Sequence, residues 1–294
     1  SEYGGVVPEI ASREHEKMLN TIANKAIVDS KIQINQIEGI AVTNGPGLAG
    51  ALLTGVSFAK GLALGLEVKI ISINHLEAHI VANLLDRPDI DFPFLCLLVS
   101  GGHTQIWLIN QLEDYSLLGE TRDDAAGEAF DKGARILGLG YPGGPEIEKH
   151  AIGGNHELID FPRALSGNDK IEFSFSGLKT SLLYFMDSFE ESSNLSFSDV
   201  VASYQRAIID SLINKLKLAI ETTGINTIAI AGGVAKNLEL RRQLKTIIAA
   251  KKIIFPDLIY CTDNAAMISY LGEIKFNLGK KSNIDFGIKP NFQI

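Results

Sequence analysis

The chain has 294 residues, 46% of them hydrophobic and 21% charged, with a formal net charge of −8. A soluble chain of this length buries a large core and is expected to form two lobes. The acidic balance argues against promiscuous nucleic-acid binding, although a local basic patch or a basic partner is compatible with it. The apolar runs stop short of the ~20 residues of a membrane helix and the amino end lacks a signal-peptide pattern, so we expect no membrane segment. Two distant cysteines, Cys96 and Cys261, are predicted to be reduced thiols in a cytoplasmic-type compartment.

The first part of the chain predicts an α/β lobe. A helix is expected at about 9–29 and a strand at 37–43, followed by an Asn-Gly-Pro-Gly turn. The helix predicted at about 48–65 is rich in small residues, which suits a close approach to the sheet or a ligand, or tight packing alone. A second strand follows at 68–73.

A pair of histidines comes directly after that second strand. On a helix, His75 and His79 lie one turn apart on one face, at roughly 5–6 Å, which is close enough to share a metal ion. Glu77 points away from this face, so the pattern differs from the His-Glu-x-x-His of zinc peptidases. Ligands of α/β proteins gather at strand ends, which favours a metal site; two surface histidines without a function remain the alternative.

A second lobe is predicted after a connector at 87–93. The apolar run 94–99 is typical of a buried strand, and it breaks at Ser100-Gly101-Gly102 before a second strand at 105–109. Backbone N–H groups of such a turn are suited to phosphate, although most Gly-Gly turns are only turns. The segment 123–132 is predicted to start a helix with Asp124, Glu128 and Asp131 on one face, either a solvated face or a functional one.

Further glycine-rich segments follow. The loop at 141–145 can bring backbone close to a ligand, and Asp199 is predicted to cap a long amphipathic helix ending near 223. A strand at 226–231 runs into Gly232-Gly233 and another helix, a pattern typical of a nucleotide cradle, though less specific than a Walker loop. Lys236, Arg241, Arg242 and Lys245 form a basic segment that we interpret as a solvated face. A strand at 258–264 is predicted to place Asp263 at a strand-to-helix junction, where its carboxylate is suited to be a third metal ligand.

Seven blocks of the sequence together resemble one family. They are YGGVVPE at 3–9, GPG at 45–47, HLEAH at 75–79, VSGGHT at 99–104, the acidic segment 123–132, FSFSGLK at 173–179 and CTDN at 261–264. The two-lobed pattern resembles the actin, hsp70 and sugar-kinase superfamily, and the blocks resemble the TsaD family of bacterial or organellar type. The resemblance implies a two-lobed α/β fold of the actin/hsp70/sugar-kinase-like (ASKHA) class with a ligand cleft between the lobes. It implies an N-terminal lobe at 1–92, completed by the helix within 264–294, and a nucleotide lobe at 93–263.

The function implied by the resemblance is a transfer to tRNA. TsaD-like proteins move a threonylcarbamoyl group from threonylcarbamoyl-AMP to N6 of the adenosine next to the anticodon, in tRNAs reading codons that start with A. The resemblance implies one divalent metal, iron or zinc, on His75, His79 and Asp263, and ATP, ADP or the adenylate as nucleotide ligand. The implied nucleotide-site residues are Leu98, Val99, Ser100, Gly101, Gly102, Asp131, Gly144 and Asn237. The general base is not identified, and His103 and Glu77 are the candidates.

The resemblance also implies partners and a location. These are tRNA, a paralogous subunit of the same fold (TsaB-like) and a small ATPase (TsaE-like), or a homodimer in an organellar relative, in the cytoplasm or the mitochondrion. Family members carry a strand and turn resembling Gly-Ile-Glu-Thr-Ser-Cys-Asp before the first block, whereas no residue precedes Ser1 here. We expect that this segment was omitted from the sequence as given. A genuine truncation would remove part of the first lobe's sheet.

Three rival functions follow from the same residues. A metallopeptidase would use the His-x-x-x-His pattern, but the register of Glu77 argues against water activation. A small-molecule kinase of the same superfamily would need a first phosphate loop that the sequence lacks, and it would have no use for the histidines. A non-catalytic scaffold would have lost its ligands, whereas the three metal candidates and the glycine loops are all present.

Overall fold

The computed structural model describes residues 7–167, 169–191, 194–248 and 251–294. Residues 1–6, which carry the start of the YGGVVPE block, lie outside the described residues. The chain divides into two compact units, one made of residues 86–263 and the other of residues 7–85 together with 264–294.

Helices and strands alternate through much of the chain. In order they are α1 (Pro8–Ser30), β1 (Gly39–Gly45), α2 (Ala49–Leu66), β2 (Lys69–Asn74), α3 (His75–Asp86), β3 (Phe94–Val99), β4 (Thr104–Gln111), β5 (Asp114–Glu120), α4 (Ala126–Ile136), α5 (Gly143–His150), α6 (Ser176–Asp187), α7 (Phe197–Thr223), β6 (Thr227–Ala231), α8 (Leu238–Ile247), β7 (Lys252–Ile254) and α9 (Ala265–Asn277). Short 3₁₀ turns occupy Ile34–Gln36, Gly233–Lys236 and Leu258–Tyr260.

The unit formed by 7–85 and 264–294 contains a parallel strand pair. β1 and β2 pair from Gly39 opposite Lys69 to Gly45 opposite Asn74, so both carboxyl ends lie at one edge. α9 packs on these strands at close range, because a Cβ at Gly272 would overlap the Cβ of Ala41. The last helix of the chain is thereby fixed to the two strands that lead to the histidine pair.

Helix α2 is the one described helix that is long and apolar enough to cross a membrane, judged by length and composition alone. It has 18 residues, a mean hydropathy of 1.5 and 22% of its residues buried. One helix of this kind is weak evidence for a membrane span, since the core helices of soluble proteins meet the same criteria. In this unit α2 packs against α1 and β1.

The unit formed by 86–263 is built on a five-stranded sheet of order β5-β4-β3-β6-β7. β3 is central, antiparallel to β4 and parallel to β6, and all six of its residues are buried. Helix α7 covers the core with a buried face that includes Tyr204, Ile208 and Leu212. The buried strand predicted for 94–99 is confirmed, since both faces of β3 are covered.

Three local predictions are wrong in detail. α7 is capped by Ser196, whose Oγ accepts from the Asp199 amide at 3.3 Å, while Asp199 Oδ2 accepts from the Ser196 amide at 2.7 Å, as in a capping box. α4 begins at Ala126, so Asp123 and Asp124 precede it. Residues 258–260 form a 3₁₀ turn instead of a strand, since Pro256 lacks an N–H group and Asp257 accepts from the Ile259 amide.

Candidate functional site

Asn74 fixes the start of the helix that carries the histidine pair. Its Oδ1 accepts from the amides of Leu76 at 2.8 Å and Glu77 at 3.2 Å, which caps α3 at the residue where β2 ends. An asparagine cap satisfies amides that have no partner within the helix. The strand end and the cap together place His75 in the first turn of α3.

The two imidazoles lie close together. The ring centroids of His75 and His79 are 4.7 Å apart at an interplanar angle of 78°, and a nitrogen of each ring lies within 4.8 Å of one on the other. His79 is buried and His75 is half-buried. Two imidazoles at this separation are a donor set suited to zinc or iron.

Glu77 is turned away from the pair, as its position between the histidines predicts. Its carboxylate receives the Lys275 ammonium of α9 at 2.6 Å, and the two side chains are only 6% and 15% exposed. The pair ties α3 to α9 inside one unit. This contact gives Glu77 a structural role.

We expect Lys275→Met to lower the free energy of unfolding by about 3 kcal/mol, because it deprives a buried carboxylate of its ammonium. Urea unfolding followed by circular dichroism measures the change. Lys17→Met, which breaks an exposed pair with Glu14, is the control and should cost less than about 1 kcal/mol. Equal, small effects of both substitutions would contradict the structural role of the Glu77 contact.

Asp263, the third candidate ligand, is the residue directly before the cap of α9. It is exposed, and Asn264 Oδ1 accepts from the Met267 amide at 2.9 Å to begin the helix. Its role as a ligand stays a prediction.

The unit formed by 86–263 contains a cavity of about 370 Å³, which we call the glycine cavity. It is lined by Gly101, Gly127, Phe130, Asp131, Pro142, Gly144, Pro145, Glu148, Gly233, Val234, Lys236, Asn237 and Thr262. Four of the eight predicted nucleotide residues, Gly101, Asp131, Gly144 and Asn237, are therefore on its wall.

Glycines let the walls of the cavity approach one another. A Cβ at Gly127 would lie 2.5 Å from the Ser100 carbonyl oxygen, and one at Gly143 would lie 2.6 Å from the Cα of Asp131. Gly232 has a φ of +87°, and a Cβ there would overlap the Val99 carbonyl oxygen. Gly127, Gly143 and Gly232 are thus required for close backbone packing around the cavity.

Asp131 uses one carboxylate oxygen to hold the opposite wall. Its Oδ1 accepts from the Gly143 amide at 2.7 Å, which attaches the start of α5 to α4. Burial raises the pKa of the Asp131 carboxyl, and the Gly143 hydrogen bond and nearby Arg135 act in the opposite direction. A half-buried carboxylate on a cavity wall is an acceptor suited to hydroxyl groups.

Asn237 is committed in part to the fold. Its Oδ1 accepts from the Leu240 amide at 2.8 Å and caps α8, and its Nδ2 donates to Gln205 Oε1 at 3.0 Å. Neither Gln205 nor Glu148 is identified from the sequence. The only signal of Gln205 is a polar position on the core face of a long helix. Glu148 lies one helical turn after Gly144, accepts from the Leu238 amide at 2.5 Å and lines the cavity.

The other predicted residues of this unit lie outside the cavity lining. Leu98 and Val99 are fully buried at the end of β3, and Ser100 and Gly102 belong to the turn that presents Gly101. His103 closes that turn, with its amide donating to Ser100 Oγ at 3.1 Å.

Some of the acids around α4 hold the fold together, and one lies on the cavity wall. Asp123 accepts from Ser174 Oγ and the Phe175 amide, and Lys132 pairs with Asp124 at 2.7 Å and Glu128 at 2.8 Å. Asp131 alone of these four acids is on the cavity wall.

Solved structures share this fold at low sequence identity. HypF from T. kodakarensis aligns with a TM-score of 0.62 and 15% identity over 84% of this chain and 41% of that chain. Full-length HypF in its phosphate- and nucleotide-bound form aligns with a TM-score of 0.59 and 14% identity over 81% and 47%. The chain thus spans less than half of each HypF chain, and the likeness concerns the fold. The predicted α/β fold is confirmed, and it is a fold that HypF shares.

Sequence comparisons give the family. A family model described as TsaD, tRNA N6-adenosine threonylcarbamoyltransferase, matches residues 1–270. Proteins with that description are 49% identical in Kosmotoga olearia and 45% identical in Clostridium beijerinckii, over the whole of this chain and 88% and 87% of those proteins. The chain belongs to the TsaD family. It is accordingly a transferase that acts on tRNA, and the metallopeptidase and scaffold alternatives are not favoured.

Proposed function

We propose that the glycine cavity holds threonylcarbamoyl-AMP and that the chain transfers its threonylcarbamoyl group to N6 of the adenosine next to the anticodon, in tRNAs reading codons that start with A. The observation that carries the proposal is the cavity itself, whose 370 Å³ is lined by Gly101, Asp131, Gly144 and Asn237. ATP or ADP would occupy the same cavity through the shared adenosine.

The donor is a mixed anhydride and is already activated. The N6 amine forms a bond to the carbamoyl carbon, the bond from that carbon to the phosphate oxygen breaks, and AMP leaves with the electron pair while the amine loses a proton. No protein nucleophile is needed, so the chain's own contribution is to position the donor and to stabilise the leaving phosphate. The Ser100-Gly101-Gly102 turn supports this proposal, since Gly101 and Gly102 are exposed and a Cβ at either would meet nothing within 4 Å, which suits the approach of an anion to the backbone.

Two side chains, His103 and Glu77, are the candidates to accept the amine proton. Glu77 is bound to Lys275, which reduces its suitability as a base. His103 follows the glycine turn and is half-buried, so it is the better supported of the two candidates.

We propose further that His75, His79 and Asp263 hold one divalent metal, iron or zinc. The histidine separation supports this proposal, as does the position of Asp263 beside the cap of α9, the helix fixed to β1 and β2. A bound cation of this kind would act as a Lewis acid toward oxygen atoms of the substrate.

The proposed partners are the tRNA substrate and either a paralogous subunit of the same fold with a small ATPase or, in an organellar setting, a second copy. The proposed location is the cytoplasm, or the mitochondrion in the organellar setting. The net charge of −8 favours a partner that helps to hold tRNA.

We expect Asp131→Asn to weaken adenosine binding by about 10-fold or more, since a hydrogen bond to a charged acceptor contributes about 1.5–3 kcal/mol. Isothermal titration calorimetry measures the dissociation constant. Asp124→Asn, which changes a carboxylate paired with Lys132 away from the cavity, is the matched control and should leave adenosine binding unchanged. A loss of affinity in the control alone, or in neither variant, would contradict the assignment.

The donor assignment is tested by supplying preformed threonylcarbamoyl-AMP and tRNA to the protein and its partner proteins without ATP. We expect one AMP to be released for each threonylcarbamoyl group transferred. A requirement for ATP cleavage by this chain would instead support a kinase.

A further inference from the structure

Lys236 occupies a position on the cavity wall that its sequence context does not reveal. It is the last residue of the 3₁₀ turn Gly233–Lys236, between β6 and the start of α8, and its side chain is exposed. The turn is held by the close contact of Gly232 with β3, which brings Gly233, Lys236 and Asn237 to the same cavity.

The charges of the lining single out this residue. Two carboxylates, Asp131 and Glu148, line the cavity, and Lys236 is the only cation among the described residues of the lining. An anionic ligand in a cavity with two carboxylates is repelled unless a cation offsets them.

The other cations of the basic segment are engaged away from the cavity. The Arg241 guanidinium donates to the carbonyls of Ala235 at 2.6 Å and Pro256 at 3.0 Å. Arg242 pairs with Glu239 at 2.6 Å, and the Lys245 ammonium lies over the Phe255 ring at 5.7 Å. The segment is therefore not a uniform solvated face.

We infer that Lys236 is a binding residue for the phosphate of the adenylate. The inference rests on the proposed occupancy of the glycine cavity by an adenylate. The carboxylates of Asp131 and Glu148 each hold a backbone amide and can accept from hydroxyl groups, whereas the ammonium of Lys236 supplies the charge that the phosphate requires. As AMP leaves, the same ammonium stabilises the negative charge that develops on its phosphate.

The test compares AMP with adenosine, which lacks the phosphate, in binding to wild-type protein, Lys236→Met and Lys236→Arg. We expect Lys236→Met to raise the dissociation constant for AMP about 10-fold, equivalent to about 1.4 kcal/mol, and to leave that for adenosine within about 2-fold. Lys236→Arg should retain most of the AMP affinity, and the AMP affinity of the wild type should fall with salt more steeply than that of Lys236→Met.

Lys245→Met is the matched control, because it removes a nearby lysine outside the lining. It should leave both ligands unaffected. Equal losses of AMP and adenosine affinity in Lys236→Met, or no loss of either, would overturn the inference while leaving the adenylate site intact. Failure of the wild type to bind either ligand would instead overturn the proposed function.

Discussion

Replacing His79 with alanine is expected to remove the bound metal and to lower the rate of threonylcarbamoyl transfer by more than about 100-fold. The buried imidazole lies 4.7 Å, centroid to centroid, from that of His75, and loss of a group that merely orients a metal ligand already costs about 10–100-fold. Removing one of three proposed ligands should cost more, because two ligands alone hold a divalent cation weakly. His75→Ala should have the same effect, although the side chain of His75 is less buried than that of His79.

Metal content, measured by inductively coupled plasma mass spectrometry, provides a readout independent of activity. His15→Ala is the control, since His15 is an exposed histidine on α1 in the same unit. Circular dichroism should show that all three variants remain folded. Full metal content and undiminished transfer in both His75→Ala and His79→Ala would contradict the metal site and would favour a different source of charge stabilisation.

Replacing Gly232 with alanine is expected to disable the glycine cavity. Gly232 has a φ of +87° and no space for a Cβ beside the Val99 carbonyl, so the turn that carries Lys236 and Asn237 must shift. Strain and overpacking together should lower the free energy of unfolding by about 2–4 kcal/mol. The displaced turn should also weaken AMP binding by about 10-fold or more, as loss of a charged hydrogen bond does.

Gly177→Ala is the control for this substitution. Gly177 lies in α6, a Cβ there meets nothing within 4 Å, and alanine is the better helix former, so stability should stay the same or rise by up to about 1 kcal/mol. Urea unfolding and AMP titration are the measurements. Native stability together with native AMP affinity in Gly232→Ala would show that the turn tolerates a side chain, contrary to its close packing.

The local part of the site follows from the sequence because it depends on neighbouring residues. A strand end at Asn74, an asparagine cap and a four-residue spacing suffice to put His75 and His79 on one helical face. The apolar run 94–99 likewise predicts a buried strand, since this prediction depends on one short segment.

The remaining part depends on contacts between distant segments. Glu77 pairs with Lys275, which lies 198 positions later in the chain. Nothing near Glu77 in the sequence indicates that its carboxylate will have this partner. The four acids of 123–132 cannot be distinguished in the sequence. In the structure Lys132 forms ion pairs with two of them, and a third accepts hydrogen bonds from the residues before α6. Of the four, only Asp131 lines the cavity. The cations of the basic segment also differ in their contacts. Arg241 and Lys245 contact residues 256 and 255, which lie outside the segment, so their engagement cannot be predicted from the segment alone.

The most direct test is mass spectrometry of nucleosides from a tRNA incubated with preformed threonylcarbamoyl-AMP, the wild-type chain and its partner proteins. We expect threonylcarbamoyladenosine in a tRNA with adenosine next to the anticodon, none when guanosine replaces that adenosine, and at least about 100-fold less with His79→Ala. Two results would contradict the assigned transfer. One is absence of the modified nucleoside with the wild type under conditions in which a related TsaD protein is active. The other is equal modification of both tRNAs.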